Sequence, residues 1–217
     1  MSTPSLYETI RRIVQQELGA LRTAELAVVQ EQHPHADDSD KDNYACTVVL
    51  RNSGIVLSQV PVATPRIGQA SIPAVGDLVL VQFLGGDVNA PVITGSLYND
   101  EDRPPANDDG QLVLHLPLGA GDSDAVLLTL YSGDQREIEL KLGNGLSLNL
   151  RDDDPVVELS VDGGKATVQI GRDGTVTVES QGDVVLKTQG NVNIEGTEIN
   201  VKAQGQLNLK GAAVNLN

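Results

Sequence analysis

Three patterns of apolar and polar residues follow one another along this chain. In the first, over residues 4–21, apolar residues recur every three or four positions, which predicts a short amphipathic helix. Ser2 or Thr3 is the expected N-cap, with Pro4 in the first turn. A helix with one apolar stripe has to pack on the next domain or on a neighbouring chain. The stripe consists of Leu6, Ile10, Ile13, Val14, Leu18 and Leu21.

The second pattern is a series of short apolar or alternating runs between residues 24 and 99, which are typical of β-strands. Turns that contain glycine, asparagine or aspartate separate the runs. Five short strands without a helical pattern between them favour a small β-barrel of the OB type. The predicted strands are Leu26–Gln30, Tyr44–Leu50, Ile55–Val62, Leu78–Phe83 and Val92–Leu97. Residues 100–110, which include Arg103-Pro104-Pro105, follow as a linker.

The third pattern is a short repeat that is clearest from Gly174 onward. Residues 174–181 align with 182–189 and 190–197, and the step then alternates between seven and eight residues. One strand followed by one glycine turn fits a repeat of this length. Residues 111–150 have longer apolar runs, and we expect wider, intertwined strands there. The predicted domains are therefore a helix (1–21), an OB domain (22–103) and a β-helical spike (104–217).

Each repeat offers two inward apolar side chains, so one chain could neither bury its apolar stripe nor pair its strand edges. Three chains that each form one face of a common prism would do both. We therefore predict an all-β chain that ends in a trimeric β-helix. The alternative is a one-chain β-sandwich with a regular meander. The predicted trimer core consists of Val176, Val178, Val184, Leu186, Val192, Ile194, Ile199, Val201, Leu207 and Leu209.

Composition excludes several classes of function. A net charge of −15 argues against a nucleic-acid partner, because phosphate binding needs clustered Lys and Arg. The single cysteine, Cys46, excludes an internal disulfide and a multi-cysteine metal site. Aromatic residues make up only 2%, so the core must be aliphatic. Neither a membrane-spanning run nor a secretion signal is visible, so we expect a chain made in the cytoplasm.

Candidate catalytic and metal-binding residues are few. The pair in His33-Pro34-His35 lies beside several aspartates, yet the acidic surroundings favour a solvated loop over a metal site. Asp38-x-Asp40-x-Asp42 departs from a calcium loop because Asn43 stands at the turn glycine. Nucleophile motifs and the aromatic platforms of sugar sites are missing. We therefore expect a protein that is not an enzyme and that has no cofactor and no metal.

Several motifs in residues 72–105 point to one family. They are Gly76-Asp77, the strand that ends at Phe83, Gly86-Asp87, Pro91-Val92, Gly95-Ser-Leu-Tyr-Asn99 and Arg103-Pro104-Pro105. Together they resemble the OB module of phage baseplate assembly protein V and of the spike part of VgrG proteins. The C-terminal repeat is similar to the trimeric β-helical needle of that family.

The resemblance implies a structural homotrimeric spike at the centre of a contractile baseplate, in a virion or in a phage tail-like particle. VgrG proteins carry a hub ahead of the barrel, whereas this sequence has none there, so we expect the OB domain to dock on a separate hub protein. The sequence ends without the His-x-His by which some spikes bind iron, so we expect a PAAR-type tip protein at Val214, Leu216 and Asn217. The alternative is a β-helical receptor-binding fibre or polysaccharide depolymerase.

Overall fold

The computed structural model describes residues 5–215, which form one helix and two antiparallel sheets. The helix, α1, spans Leu6–Ala20. Its N-cap is Ser5, whose Oγ accepts a hydrogen bond from the Glu8 backbone N–H at 3.2 Å. The Glu8 carboxylate in turn accepts from the Ser5 N–H at 3.1 Å. The predicted N-cap at Ser2 or Thr3 is therefore wrong, because this reciprocal capping box starts the helix later.

The first sheet has five antiparallel strands in the order β3-β2-β1-β4-β5. All five strands predicted from the sequence are confirmed. One isolated parallel bridge, Val62 to Ile93, joins the two outer edges, and the sheet is not otherwise closed. The strands are β1 (Ala24–His33), β2 (Ala45–Leu50), β3 (Val56–Pro61), β4 (Leu78–Phe83) and β5 (Pro91–Leu97).

The first sheet contains nearly all of the buried core among residues 5–215. Its side chains are aliphatic apart from Cys46 and Phe83, as the composition predicts. Phe83 ends β4 and is only 3% exposed. The core cluster consists of Ala27, Val29, Cys46, Val48, Leu50, Val60, Val79, Val81, Phe83 and Ile93.

The second sheet is a seven-stranded antiparallel meander in which each strand pairs with the next one along the chain. This differs from the intertwined strands expected over residues 111–150. Tight turns such as Asn144-Gly145, where Gly145 has φ +83°, reverse the chain at once and favour pairing within it. The strands are β6 (Gln111–Leu116), β7 (Val126–Ser132), β8 (Arg136–Leu142), β9 (Leu146–Arg151), β10 (Val157–Val161), β11 (Ala166–Ile170) and β12 (Val176–Ser180).

Residues 182–215, here called the terminal segment, contain neither helix nor strand. Extended stretches alternate with bends near residues 190, 197, 205 and 212, which follow the predicted seven- and eight-residue step. The C-terminal β-helix itself stays a prediction. No helix within residues 5–215 is long and apolar enough to cross a membrane.

Candidate functional site

One face of the second sheet is almost entirely aliphatic. Residues that point to the same side of neighbouring strands stand opposite one another in continuous rows, and the middle row runs from Leu114 to Val178. Seven strands contribute three positions each, and Ser180 is the one position that is not aliphatic. We call this surface the aliphatic face. Its middle row is Leu114, Leu128, Leu140, Leu148, Leu159, Val168 and Val178.

The aliphatic face is uncovered within the single chain. None of its side chains is buried, and Leu112 at one end and Val176 at the other are 56% and 62% exposed. Large contiguous apolar patches are rare on proteins that act as monomers and mark contact surfaces. The face therefore has the composition of a protein core, but no second layer of the described chain covers it.

The opposite face of the same sheet is mostly polar. Two ion pairs lie on it, Lys141 Nζ to Glu139 Oε1 and Arg151 Nη2 to Glu158 Oε2, both at 2.8 Å. Serine, threonine, asparagine and glutamine occupy most of the other positions. This contrast between the faces is the pattern of a sheet with one face toward a core and the other toward water.

The terminal segment has no backbone–backbone hydrogen bond among its described residues. Its local contacts are short-range side-chain caps at the bends. The Gly190 N–H, for example, donates to Thr188 Oγ1 at 3.0 Å. Every extended stretch therefore presents N–H and C=O groups that are free to pair with a neighbouring strand.

The structure places the ten predicted core residues in two settings. Val176 and Val178 lie in β12, on the aliphatic face. The other eight lie along the terminal segment with more than half of each side chain exposed, from Ile199 at 52% to Leu186 at 80%. Of the predicted tip residues, Val214 is half exposed. Leu216 and Asn217 lie outside the described residues.

Most of the aliphatic face lies outside the set of core residues predicted from the sequence. That set included Val176 and Val178 but not the equivalent positions of β6 to β8, such as Leu114, Leu128 and Leu140. The signal was present, because Leu112, Leu114 and Leu116 alternate with polar or smaller residues. The register between strands, which joins these alternations into one surface, was visible only in the structure.

The histidine pair does not form one site. The His33 ring is within 2.8 Å of Thr47 Oγ1, whereas His35 Nδ1 lies 2.9 Å from Asp40 Oδ1. Hydrogen bonds from the Asp37 backbone N–H and from His35 lower the pKa of Asp40 to about 2. Within residues 5–215, no group of three or more His, Cys, Asp or Glu side chains is arranged to hold a metal ion.

Cys46 is the one cysteine and has no exposed surface. Burial raises the pKa of its thiol, and the nearby Asp77 carboxylate acts in the same direction. The thiolate, which is the nucleophilic form, is therefore disfavoured. Cys46 belongs to the core of the first sheet.

Comparison with known proteins identifies the first sheet. Residues 28–98 match the family described as "Type VI secretion system/phage-baseplate injector OB domain". A 40-residue stretch is 52% identical to the type VI secretion system spike protein VgrG5 of Pseudomonas aeruginosa. That stretch covers 18% of this chain and 5% of VgrG5, so the chain spans a small part of that relative. The resemblance to VgrG-like spike proteins is confirmed, and an OB domain is present in residues 28–98.

Proposed function

We propose that this chain is the homotrimeric central spike of a contractile injection machine. In this proposal the OB domain docks on a separate hub protein, and the C-terminal part forms a needle that punctures the target envelope. The match of residues 28–98 to an injector OB domain supports the baseplate location. The observation that carries the proposal is the second sheet, whose aliphatic face continues into a terminal segment with unpaired backbone.

Three identical chains would solve both structural problems at once. The aliphatic faces of three sheets can enclose a common dry core, with the polar faces outward. In the terminal segment, each extended stretch can pair with the equivalent stretch of the next chain, so that no edge is left open along the needle. The alternation of apolar and polar residues, as in Val192, Asn193 and Ile194, then sends every second side chain toward the axis.

The function is mechanical in this proposal, and it requires no catalytic group. When the sheath contracts, force acts along the needle axis. A trimer with cross-chain pairing over its whole length resists unfolding, because many contacts have to break together. The amphipathic helix α1 supplies a further apolar surface at the hub end, where Leu6 and Tyr7 are more than 70% exposed.

Imaging of the native particle tests the proposal. We expect cryo-electron microscopy of the contractile particle to place this chain on the tube axis, below the hub, with threefold symmetry. A position at the periphery of the baseplate, at the end of a fibre, would contradict it and favour a receptor-binding fibre. Cleavage of polysaccharide by the purified trimer would contradict the non-enzymatic role.

The far end of the needle is proposed to bind a PAAR-type tip protein. Residues 182–217 carry three acidic and three basic side chains, so this end is neutral in a chain with a charge of −15. An open backbone edge with nearby apolar side chains such as Val214 suits strand addition. Deletion of residues 213–217 is expected to abolish binding of the tip protein in a pull-down while the spike stays trimeric. Normal tip binding by the shortened spike would contradict this assignment.

A further inference from the structure

We infer that the aliphatic face of the second sheet, rather than the terminal segment, is the surface that brings three chains together. The three second sheets, once packed together, then serve as the template on which residues 182–215 pair between chains. This inference rests on the proposed trimer and concerns which part of the chain creates it. Its partner is two further copies of the same chain.

The second sheet can form before any partner arrives. All of its pairings join consecutive strands of one chain, and the longest connection, residues 117–125, has nine residues, so these local hairpins close quickly. The terminal segment has no pairing of this kind, because none of its described backbone groups bonds to another. A single chain therefore has a formed apolar surface in the second sheet, whereas its terminal segment is extended and unpaired.

The residues that form the turns differ before and after the end of the second sheet. Three of the six hairpins of the second sheet, including the last two, turn at Asn144-Gly145, Asp162-Gly163 and Asp173-Gly174, and these glycines have φ between +67° and +85°. Such Asx-Gly pairs reverse a chain tightly and return it beside the preceding strand. After Ser180 the bends fall at Gln181-Gly182, Gln189-Gly190 and Gln204-Gly205 instead. Glutamine rarely takes the left-handed conformation of a tight hairpin, so the chain advances to a neighbour.

The chemistry of the aliphatic face fits a second copy of this chain. The face carries no charged side chain, so the charge of −15 on each chain does not act across it at short range. Seven strands about 4.8 Å apart and five residues long span on the order of 500 Å² before side-chain relief is counted. That relief brings the face toward the roughly 800 Å² that each partner buries in a stable interface.

Continuity with the terminal segment selects identical copies over an unrelated protein. Val176 and Val178 lie on the aliphatic face, and the same two-residue alternation continues with Val184 and Leu186. The bends then recur every seven or eight residues. A partner that pairs along this segment must have bends at the same intervals. Another copy of the chain has them because its sequence is identical.

The test compares one substitution on each surface in the full-length chain. Leu148→Asp places a charge in the middle row of the aliphatic face, and Ser147→Asp is the matched control on the polar face, where residue 147 stands opposite Lys141. Ile194→Asp places a charge at a predicted core position of the terminal segment. Solution mass by light scattering reports the oligomeric state, and hydrogen exchange reports protection of the OB domain and of residues 182–215.

We expect Leu148→Asp to give a monomer that keeps a protected OB domain and loses protection over residues 182–215. Ser147→Asp is expected to stay trimeric, and Ile194→Asp to stay trimeric with lost protection confined to the terminal segment. A trimeric Leu148→Asp, or a monomeric Ile194→Asp, would overturn the inference while leaving the proposed trimer intact. A monomeric wild-type chain would instead overturn the proposed function.

Alanine variants keep the test decisive if Leu148→Asp aggregates. Leu148→Ala removes apolar contact without adding a charge, and Ile194→Ala is its counterpart in the terminal segment. We expect the melting temperature of the trimer to fall further for Leu148→Ala than for Ile194→Ala. An equal or smaller fall would overturn the inference.

Discussion

The OB domain and the second sheet are built from similar aliphatic strands, yet only one of them encloses a core. Val48, Val81 and Ile93 of the OB domain have no exposed surface. In β6 to β12 no strand residue is buried, and Leu116 is 60% exposed. The difference is that the outer strands of the first sheet meet at Val62 and Ile93, whereas the meander stays open. One half of the molecule buries its core within a single chain, and in the proposed trimer the other half is completed by partner chains.

The comparison separates two kinds of stability. The OB domain should unfold in a step that does not depend on protein concentration, because its contacts lie within one chain. If three chains assemble as proposed, the stability of the second sheet and of the terminal segment should rise with protein concentration, because partner chains then supply their core. The stability losses caused by substitutions in the two regions should therefore differ in their dependence on protein concentration as well as in size.

After the loss of the trimer expected for Leu148→Asp, the next largest effect is expected in the terminal segment. Ile194→Asp would bring three unpaired carboxylates together near the trimer axis, where desolvation and like-charge repulsion add up to roughly several kcal/mol per trimer. Denaturant unfolding at several protein concentrations measures this loss. The side chains at 193 and 194 are both exposed in the single chain, so only the assembly distinguishes them.

Asn193→Asp is the control for that substitution, because its side chain is expected to face water. It should leave the unfolding midpoint of the trimer nearly unchanged. Equal losses for the two variants would show that the inward register of the needle is wrong.

A somewhat smaller loss is expected from Phe83→Ala in the OB domain. Phe83 is the one phenylalanine of the chain and packs in the first core, so its truncation should cost about 3–5 kcal/mol. The loss should be the same at all protein concentrations. Hydrogen exchange of β1 and β4 measures it directly.

The neighbouring Leu84→Ala serves as the comparison for Phe83→Ala, since the Leu84 side chain is 56% exposed. It should change stability by less than about 0.5 kcal/mol. A loss of stability in Phe83→Ala that depends on protein concentration would contradict the assignment of the OB core to a single chain.

The smallest effect concerns Asp40, whose contacts are local to one loop. Its pKa is lowered from 3.8 to about 2 by the Asp37 N–H and by His35, so its contribution to stability is present above pH 3.8. That contribution is lost as the pH falls through about 2. His35→Ala should raise the pKa of Asp40 part of the way toward 3.8, as measured by NMR titration of the carboxyl carbon.

His33→Ala should leave the pKa of Asp40 unchanged, because the His33 ring contacts Thr47. The titration should also be the same in the trimer and in a monomeric Leu148→Asp chain. A difference between those two states would mean that the loop takes part in the assembly.

The strands of the OB domain could be predicted because their alternation, their turns and the motif around Gly76-Asp77 agree with one another. The N-cap of α1 was misplaced by one turn, since Ser5 and Glu8 compete with the earlier Ser2, Thr3 and Pro4 as a start signal. Strand extension beyond Gln30 was also missed. A bulge between Val29 and Glu31 breaks the alternation there while pairing continues to His33.

Of the ten predicted core residues, Val176 and Val178 lie on the aliphatic face, and the role of all ten in a trimer stays a prediction. The expectation of partner chains rests on the two apolar residues of each repeat, which are visible in the sequence. A one-chain meander was expected only in the alternative of a β-sandwich, and residues 111–180 form one as a single sheet, because strand pairing is a property of register and not of any single run. Asn144-Gly145 and Asp162-Gly163-Gly164 carried the relevant signal, as hairpin turns between runs of alternating residues.

The mass of the full-length chain in solution tests the central claim most directly. Sedimentation equilibrium over a hundredfold range of dilution should give about three times the chain mass of 22.9 kDa throughout. That result would mean that the exposed aliphatic face and the unpaired terminal segment are two parts of one shared core. A stable, folded species of 22.9 kDa would contradict the account.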